Sequence, residues 1–157
     1  MNIKELTTQD IEQIKKIILE TFSKEPWNDD WQDQAQFHSY IIDLIDNKNS
    51  LSLGLYENKD LIGVSLGRIK HWYTGTEYWI DDLAIIPVKQ GKGCGSKFIE
   101  LIEDFIRHRG IVGIVLFSER NIPAYHLYVK KDFRKSQNEY FLKRRLFNRF
   151  QFAEISS

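Results

Sequence analysis

The chain has 157 residues, with 22 lysines and arginines balanced by 22 aspartates and glutamates, and a single cysteine. That length fits one domain, large enough to bury an ordinary core without disulfides or structural metal. The balanced charge excludes an overall basic field of the kind that drives nucleic-acid binding, Cys94 has no internal partner for a disulfide, and no N-terminal apolar run reads as a leader or membrane span. A cytoplasmic protein without nucleic-acid or membrane partners is the expectation.

Ile3 to Leu6 reads as a short strand, and Thr7 or Thr8 caps a helix whose apolar positions Ile11, Ile14, Ile17, Ile18 and Phe22 recur at helical spacing. That helix stops before Pro26. A second helix is expected from Trp31 to Asp46, with Ala35, Tyr40, Ile41, Leu44 and Ile45 inward and residues 47–50 as the exit turn. Leu51 to Tyr56 and Leu61 to Lys70 are β-like runs around the polar turn 57–60, and Glu77 to Ile86 is the next antiparallel strand. Phe98, Ile99, Leu101, Ile102, Phe105 and Ile106 form the apolar face of a long helix ending near Gly110. Ile111 to Phe117 reads as a strand buried on both faces, followed by a helix from Pro123 to Lys131 and closing strands at 133–135 and 140–147. The order βααβββαβαββ describes one mixed α/β domain. The basic run Lys143-Arg144-Arg145 reads as the outward side of a strand, not a nucleic-acid patch.

Between the third long strand and the long helix lies Gln90-Gly91-Lys92-Gly93-Cys94-Gly95-Ser96. Glycines there let an anion approach backbone N–H groups at the positive end of a helix. Neither Gly-x-Gly-x-x-Gly nor the P-loop string is present, which disfavours dinucleotides and nucleoside triphosphates. Cys94 lacks a nearby base in the sequence and reads as a small packing residue.

Gln90-x-x-Gly93-x-Gly95 after an apolar strand resembles the acetyl-coenzyme A signature of the GNAT N-acetyltransferases. Twenty-six residues after Gly95, the stretch from Asn121 through Ala124 and Tyr128 to Phe133 resembles that family's Asn-x-x-Ala-x-x-x-Tyr-x-x-x-Gly-Phe element. Asp132 stands where the family has glycine, at a left-handed helix end that Asp tolerates better than most residues. The resemblance implies a GNAT-like mixed, mostly antiparallel sheet flanked by helices. It divides the chain into acceptor-side helices (1–50), a cofactor-binding core (51–147) and a tail (148–157). It also implies direct transfer of acetyl from acetyl-CoA to the primary amine of a small molecule, with no metal. The alternatives are a protein N-terminal or lysine acetyltransferase, or a non-catalytic coenzyme A sensor.

Under that resemblance, backbone groups around Leu83, Ala84, Ile85 and Ile86 hold the pantetheine arm and the thioester. Gln90, Gly91, Lys92, Gly93, Cys94, Gly95 and Ser96 cradle the pyrophosphate. Asn121 and Ala124 contact the cofactor, and Tyr128 protonates the departing thiolate. Asn121 equally reads as a helix cap and Tyr128 as a core tyrosine. Asp81 and Asp82 precede the turn, and strand alternation sends them to opposite faces. Asp81 is the expected base or substrate anchor and Asp82 the fallback, against a reading of both as ordinary ion-paired carboxylates.

The acceptor pocket is expected among Trp27, Asp29, Asp30, Trp31, His71, Trp72, Tyr73, Glu77, Tyr78 and Trp79, with Trp27, Asp30, Trp31, Trp72, Tyr78 and Trp79 as its contacts. Carboxylates with aromatic faces suit an amino sugar, polyamine or other small ammonium. The same tryptophans read equally well as packing, with Trp27 and Trp31 stapling the first two helices and Trp72 facing Trp79 in a hairpin. The resemblance also implies a possible homodimer through the C-terminal strand, for which Phe141, Leu146, Phe147, Phe150 and Phe152 offer apolar surface.

Overall fold

A computed structural model describes residues 1–118, 122–135 and 141–145, with 135 and 141–145 as backbone. The elements are β1 (Asn2–Glu5), α1 (Ile11–Phe22), α2 (Gln34–Ile45), β2 (Ser50–Glu57), β3 (Asp60–Trp72), β4 (Gly75–Ile85), α3 (Cys94–Arg107), β5 (Gly113–Phe117), α4 (Pro123–Lys130), β6 (Arg134–Lys135) and β7 (Phe141–Arg145). They run in the expected order and form one sheet, β1-β2-β3-β4-β5-β7-β6, in which only β4 and β5 pair in parallel. Among the described residues no helix is long and apolar enough to cross a membrane.

Each face of the sheet carries its own core. On one, Ile14, Ile17 and Ile18 of α1 and Phe37, Ile41 and Ile45 of α2 pack on Val64, Leu66 and Ala84. On the other, Phe98, Ile99, Ile102 and Ile106 of α3 and Tyr128 of α4 pack on Leu53, Leu55, Tyr78, Ile80 and Ile114. The spacing of these residues along each helix is the periodicity the sequence shows. Two local readings need correction. Asp33 caps α2 through Gln36 N–H (3.0 Å), so the helix starts three residues after Trp31 and Ala35 lies exposed. The β3–β4 hairpin is longer than expected, reaching Trp72 and resuming at Gly75.

The feature that positions everything else is a β-bulge. Leu66 pairs with Asp82 but Gly67 pairs with Ile80, so Asp81 is an extra residue in β4 with no partner of its own. Before it, Tyr78 and Ile80 face α3. After it the parity flips: Ala84 faces α1 and α2, while Leu83 and Ile85 pack on the α3 side. Pairing of β4 with β5 covers Glu77–Ile80 against Gly113–Leu116 and stops there, leaving β4 unpartnered on that side from Asp81 onward.

Gly67 makes the bulge possible. A Cβ at this position would lie 2.2 Å from the Trp79 carbonyl oxygen and 3.0 Å from Ile80 Cα. Both are backbone atoms that cannot swing aside. Gly67→Ala is expected to destabilise the fold by about 1–3 kcal/mol, as overpacking does. Thermal unfolding would show this as a loss of several degrees, and an unchanged melting temperature would mean the bulge does not depend on this glycine.

Candidate active site

The bulge overturns one expectation directly. Asp81 and Asp82 do not lie on opposite faces, because the extra residue cancels the alternation that would have separated them. Both carboxylates reach the α2 side. Asp81 accepts two contacts from Arg68 Nη1, each 2.6 Å, across the β3–β4 ladder. Asp82 accepts a hydrogen bond from the Tyr40 hydroxyl of α2. Tyr40 in turn stacks on Trp31, with ring centroids 5.0 Å apart and planes 26° from parallel, and Trp31 also contacts Phe37.

The two acids therefore sit in different electrical surroundings. Burial pushes the Asp82 carboxyl above its ordinary range, the Tyr40 hydrogen bond pulls it back in part, and the charges of Asp81 and Asp29 push it up again. Tyr40 is held well above a normal phenol, first by burial and then by the Asp82 charge, so it stays protonated as the donor. Asp81, at the edge of a pocket, is matched by a guanidinium.

On the other side of β4, the backbone is open. Ile86 N–H bonds the Ile62 carbonyl (3.0 Å), which by alternation turns the Ala84 and Asp82 amides toward β3 and those of Leu83 and Ile85 into the gap beside β5. Leu83 and Ile85 thus remain candidates for an extended polar arm. Ile86 does not, because its N–H is already bound. The Ile85 carbonyl accepts from Gln90 Nε2 (2.8 Å) and Thr21 Oγ1 (3.4 Å), so Gln90 braces the turn with the side chain expected to touch a phosphate.

Beyond the gap, Gly91 and Gly93 take positive φ of 69° and 81°, and an added Cβ at either would meet no atom within 4 Å. Gly93 caps α3 with no side-chain bond, and the first helical bond in this turn is Lys97 N–H to Gly93 C=O at 3.0 Å, so the N–H groups before it have no intrahelical partner. That combination of free donors, helix dipole and a cradle without side chains fits a pyrophosphate. Gly95 has a different cause: its Cβ would approach Leu127 Cδ2 to 2.9 Å, so it is small for the packing of α3 on α4. Cys94 is buried in the core, as expected of a packing residue, and can offer only backbone. Lys92 Nζ bonds the Val88 carbonyl at 2.8 Å. Ser96 and Ala124 lie half-buried on α3 and α4 near this end.

Tyr128 is 6% exposed, packs on Phe133 at 5.6 Å and is held above a normal phenol by burial. Asp132 takes φ of 60°, the left-handed helix end expected of it. Asn121 lies outside the described residues, as do Leu146, Phe147, Phe150, Phe152 and the tail.

The aromatic residues divide. Tyr78 does not line a pocket: it is fully buried, and its hydroxyl bonds Ser65 Oγ (2.8 Å) and the Leu51 and Ser65 carbonyls (3.1 Å each). It faces α3 because it precedes the bulge. Trp27 packs edge-on against Phe22 of α1 and Trp31 against α2, so each braces its own helix. Trp72 and Trp79 sandwich an internal cation, with Lys70 Nζ 4.4 and 4.1 Å from their ring centroids. Trp72 remains 44% exposed. Asp30 bonds Gln32 at the surface.

Sequence reasoning missed Arg68, Gly67 and the role of Tyr40. A glycine inside a long strand pattern was the available signal for the bulge. Tyr40 showed only as an inward helix position, and nothing local ties it to a residue 42 positions away.

The model of the acetyltransferase (GNAT) family matches residues 11–133. No curated protein matches the chain. Among solved structures, the chain is similar to the ribosomal-protein-S18-alanine N-acetyltransferase of Escherichia coli, at 17% identity and TM-score 0.69 over 96% of this chain and 99% of that one. It is also similar to the PaiA N-acetyltransferase of Thermoplasma acidophilum in complex with coenzyme A, at 16% identity and TM-score 0.64 over 92% and 99%. A third likeness is to an aminoglycoside acetyltransferase from an uncultured soil metagenomic sample in complex with sisomicin, at 18% identity and TM-score 0.63 over 83% and 85%.

Because the folded chain holds the Asp82 proton more tightly than the unfolded chain does, ionised Asp82 opposes folding. That cost grows as pH rises from the unfolded carboxylate range through the raised folded value and is complete above it. Asp82→Asn keeps an oxygen for Tyr40 and removes the buried charge. The variant is expected to melt about 2–4 °C higher at neutral pH, the shift of roughly 1 kcal/mol in a chain of this size, with no gain at pH 3. Calorimetric scans at the two pH values check both parts.

Proposed function

The chain belongs to the acetyltransferase (GNAT) family, and on that premise we propose that this N-acetyltransferase transfers acetyl directly to a primary amine of a small molecule, with Asp82 as general base. The observation that carries the proposal is the bulge, which opens the β4 backbone toward β5 and brings two carboxylates to the facing layer of the same strand.

The family uses acetyl-CoA, and this chain has matching features for it: amides of Leu83 and Ile85 beside the gap, and the uncapped start of α3 behind Gly91 and Gly93. Bound there, the cofactor supplies an activated thioester. Attack needs the amine neutral, and an amine at pH 7 is mostly an ammonium. Asp82 accepts its proton, a task suited by the raised carboxyl and by the Tyr40 hydroxyl, which fixes the orientation of the carboxylate. Asp81 draws the ammonium in, in competition with Arg68. Tyr128 Oη holds a proton for the departing sulfur, and its buried ring keeps that proton in place at neutral pH. A reducing cytoplasmic setting remains part of the proposal, motivated by the single buried thiol of Cys94.

A protein N-terminus is the second acceptor class, brought in by the likeness to the ribosomal-protein-alanine enzyme. Thiol release from acetyl-CoA in the presence of small amines and of short peptides separates the two. Turnover with peptides alone would replace the small-molecule reading.

Asp82→Asn is expected to lower kcat/KM by roughly 10²–10⁴-fold, the usual range for a lost acid or base, and Tyr128→Phe to lower kcat with KM nearly unchanged. Wild-type kinetics in Asp82→Asn would move the base elsewhere. Asp81→Asn is expected to raise KM more than it lowers kcat, and steady-state kinetics on the three variants distinguish the roles.

A further inference from the structure

A pocket of about 340 Å³ opens between the C-terminal half of α2 and the bulge, lined among others by Tyr40, Asp43, Asn47, Asn49, Arg68 and Asp81. It lies at the low end of ligand-pocket sizes, which start near about 300 Å³, so it suits one short chain or ring, not a large ligand.

Its polar atoms can be sorted by what they still have to offer. Asn47 Nδ2 donates to the Asp43 backbone carbonyl, and Asn49 Nδ2 donates to the Ile69 carbonyl at 3.3 Å. Each amide thus spends one N–H on a backbone carbonyl, which orients it and leaves its oxygen as an acceptor. The Tyr40 hydroxyl proton is committed to Asp82. Asp81 is matched by Arg68. The Asp43 carboxylate has neither an ion pair nor a hydrogen bond among the described residues. The charged lining is therefore two carboxylates against one guanidinium, a net negative charge that falls on Asp43, with the amide oxygens of Asn47 and Asn49 beside it. A positively charged group that donates hydrogen bonds complements that charge.

Resting on the reading of this face as the acceptor side, we propose that the pocket is a subsite for a second ammonium of the acceptor, making a flexible diamine or polyamine the preferred substrate over a monoamine. One amine lies at Asp82 for acetylation. The other is held by Asp43 with the oxygens of Asn47 and Asn49, and the aliphatic linker crosses the rim beside Tyr40 and Leu44.

Calorimetric titration of 1,4-diaminobutane and of n-butylamine into the full chain, with coenzyme A present to prevent turnover, tests the subsite without relying on activity. The diamine should bind about tenfold or more tightly than the monoamine, the scale of a charged hydrogen bond. In Asp43→Asn the preference should shrink to about the twofold statistical advantage of two equivalent amines, a free-energy difference of RT ln 2. Asp43 is exposed and its backbone carbonyl stays bound to Asn47, so the variant should keep the wild-type melting temperature. Asp46→Asn, which removes an exposed carboxylate outside the pocket lining, should keep the wild-type preference. Equal binding of the two amines by the wild type, or a preference that survives Asp43→Asn, overturns the subsite. Thiol release with both amines reports separately on turnover: release with neither would overturn a diamine as the preferred substrate, while the titration still decides whether the pocket binds a second ammonium.

Discussion

The structure depends on one extra residue in one strand. Inserting Asp81 into β4 against Gly67 of β3 changes which way every later side chain of β4 points. A regular strand would have kept Leu83 and Ile85 on the α1–α2 side and carried β4 on toward further pairing with β5. With the bulge, pairing ends at Ile80, and the strand leaves backbone donors exposed in the interior of a sheet, where they are normally all bonded. The cost of unpaired donors is offset when a ligand takes them. The same insertion delivers two carboxylates to one face. A cleft for a cofactor arm and an acid pair for an amine thus come from a single local irregularity, and Gly67 is the residue whose missing side chain allows it.

Two carboxylates so close would repel if both were free. The fold separates their roles by giving each a different partner. Arg68 compensates Asp81 at the solvent edge, where screening keeps any such pair modest in energy. Tyr40 steadies Asp82 in a drier place, where burial outweighs the hydrogen bond and the proton affinity rises. Neutral pH then finds one acid tied to a guanidinium and one tuned toward proton uptake. The aromatic residues around them serve mostly as framework: Trp31 supports Tyr40, Trp27 closes α1, and Trp72 with Trp79 holds Lys70. Aromatic and acidic composition alone suggested a cation box. The acids of that suggestion are placed elsewhere: Asp30 bonds Gln32 at the surface, and Glu77 is buried and accepts from Trp79 Nε1.

The order of elements and both faces of the core were legible from periodicity, because apolar residues at helical spacing in α1 and α3 can be buried in only one way. The glycine turn was legible too, since positive φ at Gly91 and Gly93 is a demand that sequence records directly. Asp132 illustrates the same point at the end of α4. What could not be read was anything set by register. The faces of Asp81, Asp82 and Tyr78 depend on where the bulge falls, and alternation counted from either end of the strand gives opposite answers. Long-range pairs were equally hidden: Arg68 meets Asp81 and Tyr40 meets Asp82 through strand pairing and helix docking, neither of which leaves a local motif. Gly95 shows the converse hazard, a motif position whose smallness is required by Leu127 of the neighbouring helix.

The account's central claim is that Asp82, seated by the bulge and tuned by Tyr40, takes the proton from the amine. The most direct test is the pH dependence of kcat/KM for one acceptor in the wild type and in Tyr40→Phe. Since the Tyr40 hydrogen bond lowers the proton affinity of Asp82, its loss should move the acid limb to higher pH, with the amine's own ionisation common to both profiles. Superimposable profiles would contradict the claim.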